Sequence, residues 1–428
     1  MTAEIISIGD ELLLGDTVNT NASWLGRTLS GRGLQVRRVH TVGDRQELIR
    51  DCLEEALSRP GLVVATGGLG PTHDDVTKQA VAELFDCELR LHKPTLDFIR
   101  KVFDRRGIPF TRSNYHQAEV PEAAEVLFNT HGTAPGLWLE RGEARLAVLP
   151  GVPHEMRHLV NEKVLPRLEQ EGWAASQPHT CYLVTAGIGE STLSDEVLGD
   201  LSPWLGGELS LAFLPGVEGV CLRVTGGTGD PQEGAREMEP LLKRIRERAG
   251  EHLVGEGREE SLARRVGELL RERELHIATA ESCTGGRICD TLTDVPGSSD
   301  YVRGGIVAYD NEVKQQQLDV DPGVLREYGA VSRAVALQMA QGAATRLRAD
   351  IGLSATGIAG PEGGTPDKPV GTVWVGYWSK ERHFAFRACF TDDRQVNKDR
   401  TVAVALDAVR RTLTGASSLP YGMQSESA

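Results

Sequence analysis

Short apolar, β-branched runs alternate with longer stretches in which apolar residues recur every three or four positions. In the first third of the chain, Glu4–Ile8, Gln35–Val39, Leu62–Ala65 and Arg145–Leu149 read as strands. Between them, Ala22–Gly31, Gln46–Ser58, Asp75–Phe85 and Thr95–Arg106 carry helical periodicity. Strand and helix in turn predict an α/β domain of three layers, a mostly parallel sheet with helices on both faces. A linker from Glu169 to Pro178 separates it from a second pattern. Strands at Thr180–Thr185, Leu209–Phe213 and Val220–Thr225, with helices at Gly189–Leu201 and Ala235–Ala249, predict a small α+β module of order βαββα. The last part opens with a helix, Glu259–Glu274, whose Leu262, Val266, Leu269 and Leu270 share a face. It continues with strands at Leu275–Ala278, Gly304–Tyr309, Val370–Tyr377 and His383–Phe390, with Leu353–Gly364 as another strand followed by a glycine-rich loop, and with helices at Ile288–Leu292 and Val396–Leu413. The predicted domains are therefore 1–168, 170–255 and 257–416, α/β in class, with a Ser-rich tail, 417–428, expected to be disordered.

Composition narrows the classes. The net charge of −14 over 428 residues disfavours a general binder of nucleic-acid backbone. Seven scattered cysteines, an odd number with no CxxC pair, predict a reduced, cytoplasmic protein without a structural zinc site. No apolar run is long enough to span a bilayer, and the N-terminus enters a strand without a basic leader.

Candidate chemistry lies in loops that follow strands, where α/β folds place their ligands. After the first strand comes Gly9-Asp10-Glu11-Leu12-Leu13-Leu14-Gly15, and after Leu62–Ala65 comes Thr66-Gly67-Gly68-Leu69-Gly70-Pro71-Thr72-His73-Asp74-Asp75. Gly67, Gly68 and Gly70 offer backbone N–H groups without side-chain bulk, suited to phosphate oxygens. Asp10, Glu11, Asp74 and Asp75 are hard oxygen donors suited to a divalent cation; Asp74 or Asp75 would equally serve as a helix cap. Two further loops, Asn129–Gly136 and Leu149–Met156, follow the same logic. His154 and His158 have helical ligand spacing but read as a surface pair.

In the last domain, Thr279-Ala280-Glu281-Ser282-Cys283-Thr284-Gly285-Gly286-Arg287 sits between a strand and a helix. A small hydroxyl residue there meets free N–H groups and the positive end of a helix, the ingredients of an acyl-transfer nucleophile and its oxyanion donors. The plain alternative is a capped turn with Thr279 or Ser282 as N-cap. Tyr309 and Lys314 share the next strand-to-helix junction, where a buried Lys could act as base. Thr356, Gly357 and Gly360 belong to a third such loop, and Arg394 and Lys398 open the last helix on one face. The middle turn Gly187-Ile188-Gly189-Glu190 is neither basic nor spaced as an RNA-binding GxxG loop, so a spacer or dimer contact is the better reading.

The strings GDELLLGDTVNTNA, TGGLGPTHDDVT, NTHGTAPG and LPGVPHEM together resemble the N-terminal domain of the CinA (competence/damage-inducible protein A) family, itself similar to the molybdopterin-binding fold. AESCTGGR, GGIVAYDNEVK, ATGIAGPEGG and KPVGTVW resemble the CinA C-terminal domain, which is similar to stand-alone nicotinamide mononucleotide (NMN) amidohydrolases. The resemblance implies a KH-like middle domain, a homodimer, and two small-molecule nucleotide substrates. It implies a metal-dependent ADP-ribose pyrophosphatase using magnesium, manganese or cobalt, with potassium, in the first domain. Asp10, Asp74, Asp75 and Glu155 would hold the metal; Gly67, Gly68, Gly70, Thr72, Gly132 and Thr133 would hold the nucleotide. It implies an NMN amidase needing no cofactor in the last domain. Ser282 would be nucleophile, Lys314 base and Tyr309 assistant. Thr284, Gly285, Gly286, Thr356, Gly357 and Gly360 would lie about the oxyanion and amide, and Arg394 and Lys398 at the phosphate. His116 stands where the family usually has Lys, and Lys398 where many relatives have Arg. A first domain that only binds a nucleotide or pterin, or a role as partner in DNA uptake or repair, are the alternatives.

Overall fold

The computed structural model describes residues 1–72, 75–111, 113–173, 178–207, 209–228 and 231–424. Two compact units result where the sequence predicts three domains: Met1–Pro178 forms the first, and the middle and last domains together form the second.

The first unit holds a sheet of order β2-β1-β3-β8-β7-β6, from β1 (Thr2–Ile8), β2 (Gln35–Val42), β3 (Gly61–Thr66), β6 (Glu125–Leu127), β7 (Gly136–Arg141) and β8 (Ala144–Leu149). The strands β2, β1, β3 and β8 are parallel, whereas β7 and β6 add an antiparallel edge absent from the sequence reading. A separate ribbon pairs β4 (Leu89–Leu91) with β5 (Glu119–Pro121). Alternate residues of each strand serve opposite faces. Ile5, Val64 and Ala147 meet Leu25, Leu29 and Leu159 on one side. Ile6, Val63 and Val148 meet Ile49 and Leu53 on the other, completing the three layers. Asp10–Leu14, read as loop, is a short helix.

The middle module has the sheet order β10-β11-β9-β12, from β9 (Pro178–Thr185), β10 (Ser210–Pro215), β11 (Val220–Thr228) and β12 (Leu253–Glu256). Its helix Pro231–Ala249 lays Met238, Leu241 and Ile245 on Leu183, Leu222 and Val224. The helix expected over Gly189–Leu201 is a single turn, Glu190–Thr192, running into a wide turn that stops where Gly199 takes φ +57°.

The last domain has the order β14-β13-β15-β16-β17, from β13 (Ile277–Glu281), β14 (Val302–Val307), β15 (Ile351–Gly357), β16 (Thr372–Trp378) and β17 (His383–Cys389). β14, β13 and β15 are parallel, and β16 and β17 are antiparallel. β13 runs three residues further than expected, since its ladder to both neighbours continues to Glu281. β14 stops at Val307, so Tyr309 lies beyond the strand. Helices Leu262–Glu272, Arg287–Thr293 and Arg394–Thr414 cover one face, and Arg333–Leu347 covers the other. Gly352 and Gly376 let Arg333–Leu347 lie close, because a Cβ at either would strike the Ala340 or Ala336 carbonyl.

A buried ionic network joins this domain to the middle module. Asp407 accepts from Arg410 Nε at 2.7 Å and from Arg411 Nε at 2.8 Å. Arg410 also donates to the Leu253 and Glu251 carbonyls, and Arg411 reaches the Glu251 carboxylate at 3.0 Å and the Ala186 carbonyl at 3.3 Å. The tail is packed as far as it is described, not disordered: Leu419 and Pro420 are buried, and Tyr421 N–H donates to the Gly187 carbonyl at 2.7 Å. Residues 425–428 lie outside the described residues.

Removing one member of a buried ion network strands its partners' charges, at about 3–5 kcal/mol. Asp407→Ala is therefore expected to lower stability by about that amount in urea denaturation followed by tryptophan fluorescence. A loss below about 1 kcal/mol would show that the network does not hold the module to the domain.

Candidate active sites

In the last domain the site is built on Glu281. This carboxylate ends β13 with no exposed surface. Its Oε2 accepts from the N–H groups of Gly286 at 3.1 Å and Ile288 at 2.9 Å. Its Oε1 accepts from Cys289 N–H at 2.8 Å and from Thr279 Oγ1 at 3.2 Å. Glu281, rather than Thr279 or Ser282, thus caps helix Arg287–Thr293, where the formal N-cap is Gly286 with no side-chain cap. The turn closes through left-handed Gly285 (φ +67°) and Gly286 (φ +98°).

Ser282 follows directly. Its N–H donates to the Ala355 carbonyl at 2.9 Å, extending the β13–β15 ladder. Its hydroxyl makes no hydrogen bond among the described residues, and the residue is 8% exposed. The next two amides, Cys283 and Thr284, donate to no oxygen among the described residues and lie against the Cys283 sulfur. The buried Thr284 hydroxyl is unpartnered too. Burial pushes the Cys283 thiol up to about 12, so it is no thiolate near neutrality.

Lys314 sits in the first turn of helix Asn311–Leu318, capped by Asp310, and is 1% exposed. Burial holds its ammonium below the usual lysine value, against the opposing charges of Asp310 and Cys283. Its Nζ donates to the Tyr309 carbonyl at 2.9 Å, not to the Tyr309 hydroxyl. The Tyr309 side chain is 64% exposed, and its hydroxyl accepts from Arg394 Nη2 at 3.3 Å. Arg394 also donates to the Gly360 carbonyl at 2.8 Å. Lys398 Nζ lies 3.6 Å from where a Cβ on Gly285 would sit, so it overhangs the serine turn. Thr356 donates its hydroxyl to the Ala330 carbonyl at 2.8 Å. Gly357 has no room for a Cβ against the Thr372 carbonyl and Val373, and therefore serves strand packing. Buried Asn397, which the sequence reading missed, ties Ala359 and Thr391 carbonyls at 2.9 Å each and positions the third loop.

In the first unit a cavity of about 430 Å³ opens at the carboxyl ends of the parallel strands. Gly67, Gly68, Gly70, Asp75, Thr133 and Glu155 line it; Asp10, Thr72 and Gly132 do not. Asp74 lies outside the described residues. Several expected groups are spent on the loops themselves. Asp75 accepts from Gly70 N–H at 2.8 Å and Thr72 N–H at 2.9 Å, and Gly67 N–H donates to the Leu149 carbonyl at 3.0 Å. Asp10 accepts from Asp44 N–H at 3.2 Å, while Asp44 accepts from Asp10 N–H at 2.8 Å. Gly132 makes room for Glu155, whose carboxylate occupies the space a Cβ there would need. Burial raises the Glu155 carboxyl, against an Asn129 hydrogen bond of 2.6 Å. Gln117 holds Thr133 Oγ1 at 2.9 Å while its own buried Oε1 has no partner.

Lys78, also missed, is buried with Nζ on the His116 carbonyl, and burial lowers it to about 8. The exposed His116 ring pairs with Glu119 instead, and His158 stacks on His131 rather than pairing with His154. The acidic lining donors are all oxygen, which suits a hard divalent cation. Among the described residues no three His, Cys, Asp or Glu groups converge. Asp75 and Glu155, with Glu11 and Asp44 also in the lining, would therefore hold such an ion only together with ligand oxygens.

The middle turn Gly187–Glu190 packs on the last helix: a Cβ at Gly187 would meet Arg411 Nη2 at 2.8 Å and Pro420 at 3.1 Å.

Residues 259–413 match the family model described as the CinA C-terminal domain, 4–170 the probable molybdopterin binding domain, and 180–255 the damage-inducible protein CinA KH domain. A CinA-like protein of Salinibacter ruber is 47% identical over 97% of this chain and 100% of its own length. A putative competence-damage inducible protein of Clostridium tetani is 39% identical over 96% and 100%. The crystal structure of a competence/damage inducible protein from Agrobacterium tumefaciens, 41% identical, covers 36% of this chain and 93% of that one, with a TM-score of 0.35.

Glu281→Ala would leave several amide donors buried without an acceptor, each costing about 1–3 kcal/mol. The expected result is a loss of at least about 3 kcal/mol in urea denaturation, with Glu281→Gln recovering part of it. Equal stability of Glu281→Ala and the unaltered chain would remove the carboxylate as the turn's anchor.

Proposed function

The chain belongs to the CinA family, and from that premise we propose that it hydrolyses two pyridine-nucleotide-derived substrates, one in each unit. In the second unit the substrate is NMN, converted with water to nicotinate mononucleotide and ammonia. The observation that supports this most is the Ser282 hydroxyl, free of hydrogen bonds among the described residues and beside two amides that donate to no oxygen there. Ser282 Oγ attacks the carboxamide carbon while its proton passes to neutral Lys314. The Cys283 and Thr284 amides receive the negative charge that develops on the carboxamide oxygen. Collapse breaks the carbon–nitrogen bond, and Lys314 returns the proton to the departing ammonia. Water, deprotonated by Lys314, then attacks the acyl-serine carbon; the acid is released and Ser282 is restored. Tyr309, hydrogen-bonded to Arg394, acts through its carbonyl by holding the Lys314 ammonium, and its exposed ring forms a wall for the nicotinamide. Arg394 and Lys398 supply positive charge for the 5′-phosphate.

Ammonia release from NMN should persist under a chelator and fall by at least about ten-thousand-fold in Ser282→Ala. Lys314 must be neutral to act, so the rate should rise with pH through a value below the usual lysine figure of about 10.4, and Lys314→Ala should lose that limb. No ammonia from the unaltered chain would remove this assignment, and an active Ser282→Ala would turn attention to Cys283.

In the first unit the substrate is ADP-ribose, cleaved to AMP and ribose 5-phosphate. A divalent cation, when bound, would neutralise diphosphate oxygens. Gly68 N–H, without an acceptor among the described residues, faces the same strand ends. Glu155, with its carboxyl raised, takes a proton from the attacking water, and Gln117 Oε1 accepts from a ribose hydroxyl. A site that only binds the nucleotide is favoured by the lack of three converging acids among the described residues. AMP formation with magnesium, manganese or cobalt separates the two, and Glu155→Gln should lower it by at least about a hundred-fold. Tight ADP-ribose binding without AMP would leave the binding reading in its place.

A further inference from the structure

Within the second unit, a cavity of about 470 Å³ opens between the middle turn and the last helix. None of Ser282, Tyr309, Lys314, Arg394 or Lys398 lines it. Its volume lies within the roughly 300–1,000 Å³ typical of small-molecule sites. The walls are set by contacts already described. Gly187 is pressed against Arg411 and Pro420, and the Gly187 carbonyl holds Tyr421, so the cavity is shaped without a ligand.

Its chemistry is specific. Arg400 lines it and makes no ion pair or hydrogen bond among the described residues, although most of the chain's other arginines do. Phe390 and Tyr421 supply aromatic surface, and Val404 an aliphatic floor. The Tyr421 hydroxyl lies within the field of the Arg400 guanidinium. Glu190 is the one carboxylate among the lining residues. A ligand with an anionic group at one end, a flat ring in the middle and hydroxyl or amine donors for Glu190 satisfies all of these at once. Guanidinium matches phosphate oxygens in a fork, and an aromatic ring stacks on aromatic faces.

We infer that this cavity is a binding site for a mononucleotide, distinct from both candidate active sites, with the phosphate on Arg400 and the base against Phe390 and Tyr421. The inference stands whether or not either hydrolysis occurs.

Cys389 gives a local readout. It lines the cavity and is the one exposed cysteine of the seven. The test is the rate of Cys389 alkylation in the full chain, read by peptide mass spectrometry, with adenosine monophosphate as probe. Occupancy at about ten times Kd should slow it about tenfold. Ribose 5-phosphate, which has the phosphate but no ring, should protect far less. Arg400→Gln should alkylate at the unliganded rate with or without the probe, its circular dichroism unchanged. An unchanged Cys389 rate in the unaltered chain would overturn the inference. Full protection of Arg400→Gln would also overturn it, because protection would then come from binding elsewhere. Equal protection by ribose 5-phosphate would overturn the assignment of a base-binding wall.

Discussion

A single buried carboxylate organises the last domain's site. Glu281 ends a strand that is paired on both sides, so its position is fixed by two ladders before its side chain makes any contact. From there it gathers the amides of Gly286, Ile288 and Cys289. The chain between, Ser282 to Gly286, has to fold back over the carboxylate, which two left-handed glycines permit. The same contacts occupy the first amides of the following helix, so its positive end faces an anion of the protein rather than a substrate. A negative charge developing beside Ser282 would therefore meet the amides of Cys283 and Thr284, not the helix terminus.

The first unit uses carboxylates differently. Asp75 is consumed in closing its own loop, and Asp10 is locked in a reciprocal pair with Asp44. Glu155 is the acid taken out of water, with hydrogen bonds from the Asn129 side chain and the Ala134 backbone set against that burial. Environment, more than residue type, assigns roles to these acids: the exposed and hydrogen-bonded ones build the walls, and the desolvated one keeps a raised proton affinity.

Much of this was legible in the order of residues. Period and punctuation located most strands and helices, because alternation and turn residues are local signals. The loops carrying chemistry were also visible, since ligands in such folds gather beyond the strand ends. What escaped depends on burial. Glu281, Lys78, Asn397 and Gln117 look like ordinary surface residues in a string, yet each is at most 3% exposed. The antiparallel edge β7–β6 escaped because short strands after a loop resemble more loop. Tyr309 shares its junction with Lys314 as expected, but β14 ends two residues early, and the Tyr309 carbonyl rather than its hydroxyl meets Lys314.

The helix Arg394–Thr414 touches the serine site at its start, the second cavity near its middle and the Asp407 network towards its end. That last contact bears on how such a domain can be inherited alone. A chain that began after β12 would keep Arg410 and Arg411 but lose the Glu251 and Leu253 carbonyls that accept from Arg410, and the Glu251 carboxylate and Ala186 carbonyl that accept from Arg411. Two guanidinium groups would then face one carboxylate at a newly wetted surface. Asp407, Arg410 and Arg411 are thus matched to the middle module as closely as to their own helix.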